Sequence, residues 1–348
     1  MGERIAFMGA GAVGGYVGGH MARAGHDVTL IDPWPEHVER IRTHGLHLGG
    51  TQGEHNVRVP AMHLTEVQSL CRSPVDIAFI CMKLYDTDWA TALITPYVAA
   101  DGLVVTMQNS FVEERVARIA GCERTLGCIA STISVEAVGP GRIVRTQMPG
   151  GATYTVFRVG ELHGRVTPRA LRVAELLRAV DSAKVTTNLW GERWSKLVAN
   201  TMTTGLCGIS GLDLNQVVAD PLARRLQIRL AAEGIRIGLA LGYSLEPIRG
   251  VSAEQWLAAE QCDIAALAEV ERRMLEGVAK RREGGRSGTA QDIAKGRRTE
   301  IDHMNGYVAE RGVEIGRPAP THAAITALVK RVERGELAPG RTLLKRLD

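Results

Sequence analysis

The chain has 348 residues, 45% hydrophobic, 23% charged and 4% aromatic, and its 42 basic and 38 acidic side chains leave a formal charge of +4. This composition excludes disordered and fibrous classes, and the length suits two domains with sizeable cores. Sparse aromatics and a mild charge fall short of a nucleic-acid footprint and suit small anionic ligands.

The six cysteines (71, 81, 122, 128, 207 and 262) form no CxxC pair and no Cys/His ligand spacing, so neither a metal site nor a disulfide framework is expected. Cys81 lies inside an apolar run and reads as core. The first twenty residues lack a basic leader and no apolar run approaches the ~20 residues that span a bilayer. The expected setting is the reducing cytoplasm, with no membrane partner.

The first half alternates short apolar runs with helical patterns. Ile5-Ala6-Phe7-Met8 is a buried strand, followed by a glycine turn and a helix to about residue 23. Val28-Thr29-Leu30-Ile31 is a second strand, with a helix over 36–42 and an irregular hairpin within 45–60. Further strands fall at 76–81, 103–107 and 125–130, with a helix over 112–120. Strands alternating with helices imply a doubly wound parallel sheet covered on both faces. From 139 to 161 the period approaches two, which predicts antiparallel strands finishing that sheet, then a helix over 168–180 and a last strand near 185.

Beyond 189 the pattern is helical, with expected helices at 190–204, 221–241, 253–282, 299–311 and 321–335. The clearest interruption is Glu283-Gly284-Gly285-Arg286-Ser287-Gly288. The expected architecture is α/β: a dinucleotide-binding Rossmann domain over 1–188 and an all-α substrate or dimerisation domain over 189–348.

Gly9-Ala10-Gly11-Ala12-Val13-Gly14 matches GxGxxG between a strand and a helix, and Asp32 closes the next strand, 21 residues after Gly11. In such a motif the first glycine permits the turn, the second admits a pyrophosphate, and the third lets helix and strand pack closely. The helix N-terminus adds unpaired N–H groups and a positive dipole end. The alternative is a glycine-rich connection without a ligand. Asp32 stands where a carboxylate accepts hydrogen bonds from the adenosine ribose and repels a 2′-phosphate. It is followed by Pro33-Trp34-Pro35, with no basic residue before Arg40. That favours NAD, with NADP still open, unless Asp32 serves only to cap the next helix.

In the second half Lys196 and Asn200 are four apart, hence on one helix face. A lysine among apolar neighbours suits a general acid, although a lone lysine is more often solvated. Gln291-Asp292-Ile293 precedes Thr299-Glu300-Ile301-Asp302-His303, where Glu300 reads either as a site carboxylate or as a first-turn acid favoured by the helix dipole. His303 is assigned no role. The basic clusters Lys280-Arg281-Arg282, 295–298, and Arg341 with Lys345-Arg346 alternate with acids and read as solvated helix faces, so no nucleic-acid partner is expected.

Taken together, GAGAVG at residues 9–14, Cys81-Met82-Lys83, Gln108-Asn109-Ser110, Trp194-Ser195-Lys196-Leu197 with Asn200, and Gln291-Asp292 with Thr299-Glu300-Ile301-Asp302 resemble the ketopantoate reductase family over nearly the whole length. The resemblance implies that Lys196 is the catalytic lysine protonating the ketone as hydride arrives from nicotinamide, and that Asn200 binds substrate. It also implies that Asn109 lies beside nicotinamide and substrate, Lys83 near the cofactor, and Glu300 at the cofactor–substrate junction. The chain departs from the family where an arginine after the second strand becomes Pro33 and a second substrate asparagine becomes Thr204. It departs again where a serine before the Gln-Asp pair becomes Gly288, with Ser287 one place off. The expected activity is reduction of a 2-oxo acid to a D-type 2-hydroxy acid, with ketopantoate to pantoate as the default. The alternatives are a D-2-hydroxyacid dehydrogenase using NAD on a branched or aryl acid and, more remotely, a non-catalytic dinucleotide sensor. The partner is a small 2-oxo or 2-hydroxy acid, and the apolar helices of the second half allow a homodimer.

Overall fold

The computed structural model describes residues 2–279 and 285–347. The basic run Lys280-Arg281-Arg282, with Glu283 and Gly284 of the glycine-rich break, lies outside the described residues. The chain folds as two compact units, Met1–Leu189 and Trp190–Asp348.

In the first unit the elements are β1 (Arg4–Met8), α1 (Ala12–Arg23), β2 (Asp27–Asp32), α2 (Pro35–His44), β3 (Leu46–Gly50), β4 (His55–Val57), β5 (Ala61–His63) and β6 (Val75–Ile80). They continue with α3 (Thr87–Ile94), β7 (Val98–Thr106), α4 (Glu113–Ala120), β8 (Thr125–Ala130), β9 (Val135–Gly139), β10 (Arg142–Arg145), β11 (Phe157–Glu161), α5 (Pro168–Leu177) and β12 (Ala183–Thr186). Eight strands form one sheet in the order β12-β11-β8-β7-β6-β1-β2-β5. From β8 to β5 neighbouring strands are parallel, and β11 is antiparallel to β8. The central strands are apolar throughout because both faces are covered. Side chains alternate between the faces. Ile5 and Phe7 enter one core with Ile77, Phe79 and the α1 residues Tyr16, Val17 and Met21. Ala6 and Met8 enter the other with Ala78, Ile80 and residues of α3 and α4.

Two expectations need correction here. The stretch 139–161 does not simply finish this sheet. β9 and β10 instead join β3 and β4 in a separate sheet, ordered β4-β3-β10-β9, and β11 alone from that stretch pairs with β8. A buried polar knot diverts the chain. Arg145 and Asp181, 0% and 1% exposed, meet at 2.6 Å, and Asp181 also accepts the Gly150 and Ser182 amides at 3.0 and 2.7 Å. Burial works to raise the Asp181 pKa, but the Ser182 amide, the Arg145 guanidinium and the Gly150 amide outweigh it and hold the carboxyl below its ordinary value. Residues 150–153 are thereby bound into a turn and cannot extend as a strand. The second correction is β5, a three-residue edge strand after Pro60 that is too short to leave a period. An edge position tolerates the proline.

The second unit contains α6 (Leu189–Thr201), α7 (Thr204–Ser210), α8 (Gln216–Ala219), α9 (Pro221–Ala240), α10 (Ala253–Glu260), α11 (Ile264–Ala279), α12 (Gly288–Ala294), α13 (Asn305–Glu314) and α14 (Pro320–Glu333). Three expected helices are broken. The helix over 190–204 divides at Met202 and Thr203, the latter at φ −125°. The helix over 253–282 divides at Cys262, which is left-handed at φ +64°, and Asp263 restarts it by accepting the Ala266 amide at 2.8 Å. The helix over 299–311 starts late. Glu300 precedes a 3-10 turn, Ile301–His303, and Met304 at φ −110° and ψ −95° separates that turn from α13. Glu300 is therefore not a first-turn acid of an α-helix, and His303 lies on the turn. Among the described residues no helix is long and apolar enough to cross a membrane.

Trp194, fully buried, donates from Nε1 to the Gly234 carbonyl at 2.8 Å and lies against Gly238, so two glycines of α9 form the seat for α6. At the other end of α6, Asn305 Nδ2 donates to the Thr201 carbonyl at 2.9 Å and lies 3.2 Å from His322 Nδ1, while His322 Nε2 meets the Leu230 carbonyl at 2.9 Å. Burial lowers the His322 pKa to about 4. Burial, then Arg23, His55 and Arg145, does the same to His20 in α1, whose Nε2 has no partner among the described residues. An unfolded histidine takes a proton near pH 6.5, so between 6.5 and 4 the unfolded chain holds more protons than the folded one. The stability these two neutral histidines confer is complete above pH 6.5 and is lost as pH falls towards 4. Melting temperatures measured from pH 7.5 to 4.5 are expected to fall over that window, and the fall is expected to be shallower in His20→Phe.

Candidate active site

In the first unit the residues singled out by sequence gather at the carboxyl ends of β2, β1, β6 and β7. The chain leaves β1 for β2 on one side and returns to β6 on the other, which makes β1/β6 the switch point where open α/β sheets bind ligands. Gly9 has φ +100°, and a Cβ there would stand 2.9 Å from the Cys81 carbonyl. At Gly14 a Cβ would stand 2.0 Å from the Gly9 carbonyl oxygen and 2.8 Å from Cys81 Cβ. At Gly11 nothing lies within 4 Å. The turn is thus closed against β6 on one side and open on the other. Gly11 is the N-cap of α1 and no side chain caps it, so the first-turn amides of Ala12, Val13 and Gly14 have no intrahelical acceptor. An open glycine face under an uncapped helix N-terminus fits the phosphates of a dinucleotide.

Asp32, 7% exposed, ends β2. Its Oδ2 accepts the Ala10 amide at 2.8 Å and its Oδ1 the Trp34 amide at 3.0 Å. Burial raises its pKa, against the lowering effect of those amides and of His37 and His63. The carbonyl of Ala10 is held by His37, a residue that no motif marked. Gly141 N–H donates to His37 Nδ1 at 2.9 Å, which leaves Nε2–H to donate to the Ala10 carbonyl at 2.9 Å. Asp32 is not the N-cap of α2, since that position is Trp34.

Lys83, half-buried, follows β6 and heads a 3-10 turn, Leu84–Asp86. Asn109, also half-buried, follows β7 beside buried Ser110, which is left-handed at φ +59°. Gln108 ties the two strand ends by donating to the Met82 carbonyl and to Thr87 Oγ1, both at 2.9 Å. Gln108 carries a positioning role that its motif alone did not reveal.

In the second unit Lys196 and Asn200, both half-buried, share one face of α6. Their neighbours are anchored, Trp194 on α9 and Ser195 through its Oγ, which accepts the Glu246 amide at 2.8 Å. The break after α6 collects the remaining residues. Ser287 Oγ donates to the Thr204 carbonyl at 3.2 Å and accepts the Ala290 amide, so its hydroxyl caps α12. Thr204 Oγ1 is buried and has no hydrogen-bond partner among the described residues. Gly205 packs on Ile301, which brings the Glu300 segment to the start of α7. Thr204 lies four residues after Asn200 but starts a new helix, so it does not extend the face of α6.

The sequence model described as "Ketopantoate reductase PanE/ApbA" matches residues 5–157, and that described as "Ketopantoate reductase PanE/ApbA C terminal" matches residues 188–333. A 2-dehydropantoate 2-reductase of Archaeoglobus fulgidus is 27% identical over 337 residues, which cover 96% of this chain and 99% of the relative. One of Mesorhizobium japonicum is 28% identical, covering 95% and 99%. Among solved structures, a PanE/ApbA family ketopantoate reductase of Ralstonia eutropha superposes with a TM-score of 0.78 at 28% identity, covering 96% of this chain and 99% of that one. D-Mandelate dehydrogenase with NADH and anilino(oxo)acetate shares the fold, with a TM-score of 0.79 at 21% identity and coverage of 95% and 98%. The two sequence models together span both units, and the chain belongs to the ketopantoate reductase family of nicotinamide-dependent oxidoreductases acting on CH–OH.

Proposed function

We propose that this chain reduces a 2-oxo acid to the D-2-hydroxy acid, with ketopantoate as substrate, pantoate as product and NADH as the preferred reductant. The observation that carries the reading is Lys196 and Asn200 on one face of α6, in a unit matching the family's C-terminal half. The relatives in Archaeoglobus fulgidus and Mesorhizobium japonicum are named for this reaction, and the chain spans 99% of each.

When bound, the reduced dinucleotide supplies a hydride. The residues that would hold it are the turn Gly9, Ala10, Gly11, Ala12, Val13 and Gly14, together with Asp32, Lys83 and Asn109. The remaining work falls to the second unit. The Lys196 ammonium donates a hydrogen bond to the substrate carbonyl oxygen, stabilises the negative charge that grows there, and gives up its proton to form the hydroxyl. Asn200, one turn further along the same face, holds a substrate oxygen, and Glu300 accepts a hydrogen bond from the substrate. Anchoring of Trp194 and Ser195 fixes the α6 backbone that carries Lys196, which lowers the entropic cost of positioning the lysine.

The NADH preference rests on Asp32. A buried carboxylate at the end of β2, followed by Pro33 rather than an arginine, opposes a 2′-phosphate and suits a free ribose hydroxyl. A second reading, a D-2-hydroxyacid dehydrogenase acting on another branched or aryl acid, is favoured by the buried, partnerless hydroxyl of Thr204 and by Gly288, where a Cβ would meet nothing within 4 Å.

Initial rates with NADH and NADPH crossed against ketopantoate and a panel of 2-oxo acids test both readings, and a higher kcat/KM for another acid decides for the second. Lys196→Ala is expected to lower kcat by about 10²- to 10⁴-fold while leaving the KM for cofactor unchanged. Asp32→Asn, which keeps one acceptor oxygen, is expected to raise the NADPH:NADH ratio of kcat/KM by about tenfold, equivalent to ~1.4 kcal/mol. An NADPH preference in the unaltered enzyme overturns the role given to Asp32.

A further inference from the structure

Helix α2 carries a buried histidine, His37, 1% exposed, that joins two backbone groups far from it in the chain. Gly141, in the turn between β9 and β10, donates its N–H to Nδ1 at 2.9 Å, and Nε2 lies 2.9 Å from the Ala10 carbonyl oxygen. An amide N–H can only donate, so Nδ1 is an acceptor and the ring proton sits on Nε2. The turn comes this close because Gly141 has no side chain. Its φ is +66°, a Cβ there would stand 2.6 Å from Arg40 Cγ, and its carbonyl accepts the His47 amide of β3 at 2.8 Å. The small sheet thereby sets the tautomer of a residue in α2. Trp34 holds the ring from the side, stacked at 5.4 Å with 8° between the planes, and its own amide is bound to Asp32 Oδ1.

The Ala10 C=O and the Gly11 N–H belong to one peptide. That unit is planar and trans, so the N–H points opposite to the carbonyl. A Cβ on Gly15 would stand 2.4 Å from the Ala10 carbonyl oxygen, which places this oxygen against α1. The Gly11 N–H therefore points outward from the helix N-terminus, on the residue where a Cβ would meet nothing within 4 Å. It donates to no group among the described residues. Asp32 acts on the preceding peptide, through the Ala10 N–H at 2.8 Å. Two successive peptides of the glycine turn are thus held by two side chains, one from β2 and one from α2.

Building on the dinucleotide reading above, we infer that His37 is a positioning residue that aims the Gly11 N–H at a phosphate oxygen. A donor already fixed in direction needs no ordering when the ligand arrives, which favours binding. The bond from Nε2–H to the carbonyl also polarises the shared peptide and strengthens its N–H as a donor. His37 acts only through this peptide, so its effect falls on the phosphates and spares the base and the ribose.

Three substitutions in the full-length enzyme separate this role from packing. Glutamine reaches as far as Nε2 and keeps a donor for Ala10. Asparagine reaches only as far as Nδ1 and keeps an acceptor for Gly141, while phenylalanine keeps the ring alone. Calorimetry gives Kd for NADH, for ADP-ribose, and for adenosine, which lacks the phosphates. His37→Asn and His37→Phe are expected to raise Kd for NADH and ADP-ribose roughly 10-fold, with Kd for adenosine and kcat at saturating NADH unchanged. His37→Gln is expected to stay within about threefold of the unaltered enzyme. Equal losses for ADP-ribose and adenosine, a glutamine variant no better than the asparagine one, or ADP-ribose binding unchanged in all three overturn the role of His37. An unaltered enzyme that binds neither NADH nor ADP-ribose overturns it together with the dinucleotide reading.

Discussion

Gly14 lies so close to Gly9 that a Cβ on it would sit 2.0 Å from the Gly9 carbonyl oxygen, and that approach sets the position of everything around it in the first unit. It brings the start of α1 down onto the end of β1 and against Cys81 at the end of β6. The two outermost glycines of the motif are therefore packing requirements. Gly11, by contrast, faces open space, and only there does the missing side chain leave room for a ligand. Ala10, between Gly9 and Gly11, is held through both of its backbone polar groups, its N–H by the Asp32 carboxylate and its C=O by His37. A turn bound this way presents its amides without reorganising, which is how a backbone site binds a dianion economically.

The second unit reaches the same end by different means. Its helix α6 is fixed by a tryptophan seated on two glycines of α9, by Ser195 held to the segment before α10, and by Asn305 at its last carbonyl. Each bond joins α6 to a different element. Lys196 and Asn200 thus project from an anchored helix, and at the break that follows, Ser287 bonds the Thr204 carbonyl and Gly205 packs on Ile301, the residue after Glu300.

Buried polar groups give both units their specificity of shape. Arg145 with Asp181 and His322 with Asn305 lie in apolar surroundings where an unmatched partner would leave a desolvated group, a penalty of about 3–5 kcal/mol for the ion pair. The ion pair binds the turn at 150–153 and so separates β9 and β10 from the main sheet, although their period alone had suggested membership of it.

The parallel sheet, the glycine turn, Asp32 and the Lys196–Asn200 face were all legible in the sequence, because each rests on spacing within one short segment: period two, period 3.6, or three glycines in six residues. The helix breaks were partly legible, since Asp263 is a capping residue, but a left-handed Cys262 leaves no mark in composition. The position of Glu300 at the head of a 3-10 turn, the separate sheet, and the contacts of His37 and Gln108 were decided only by tertiary structure. Side chains there act on backbone groups far away in the chain: His37 on Gly141, Gln108 on Met82, Asp181 on Gly150. Local periodicity encodes which residues share a face of one element; which elements then meet depends on hydrogen bonds and packing between segments that no local pattern contains.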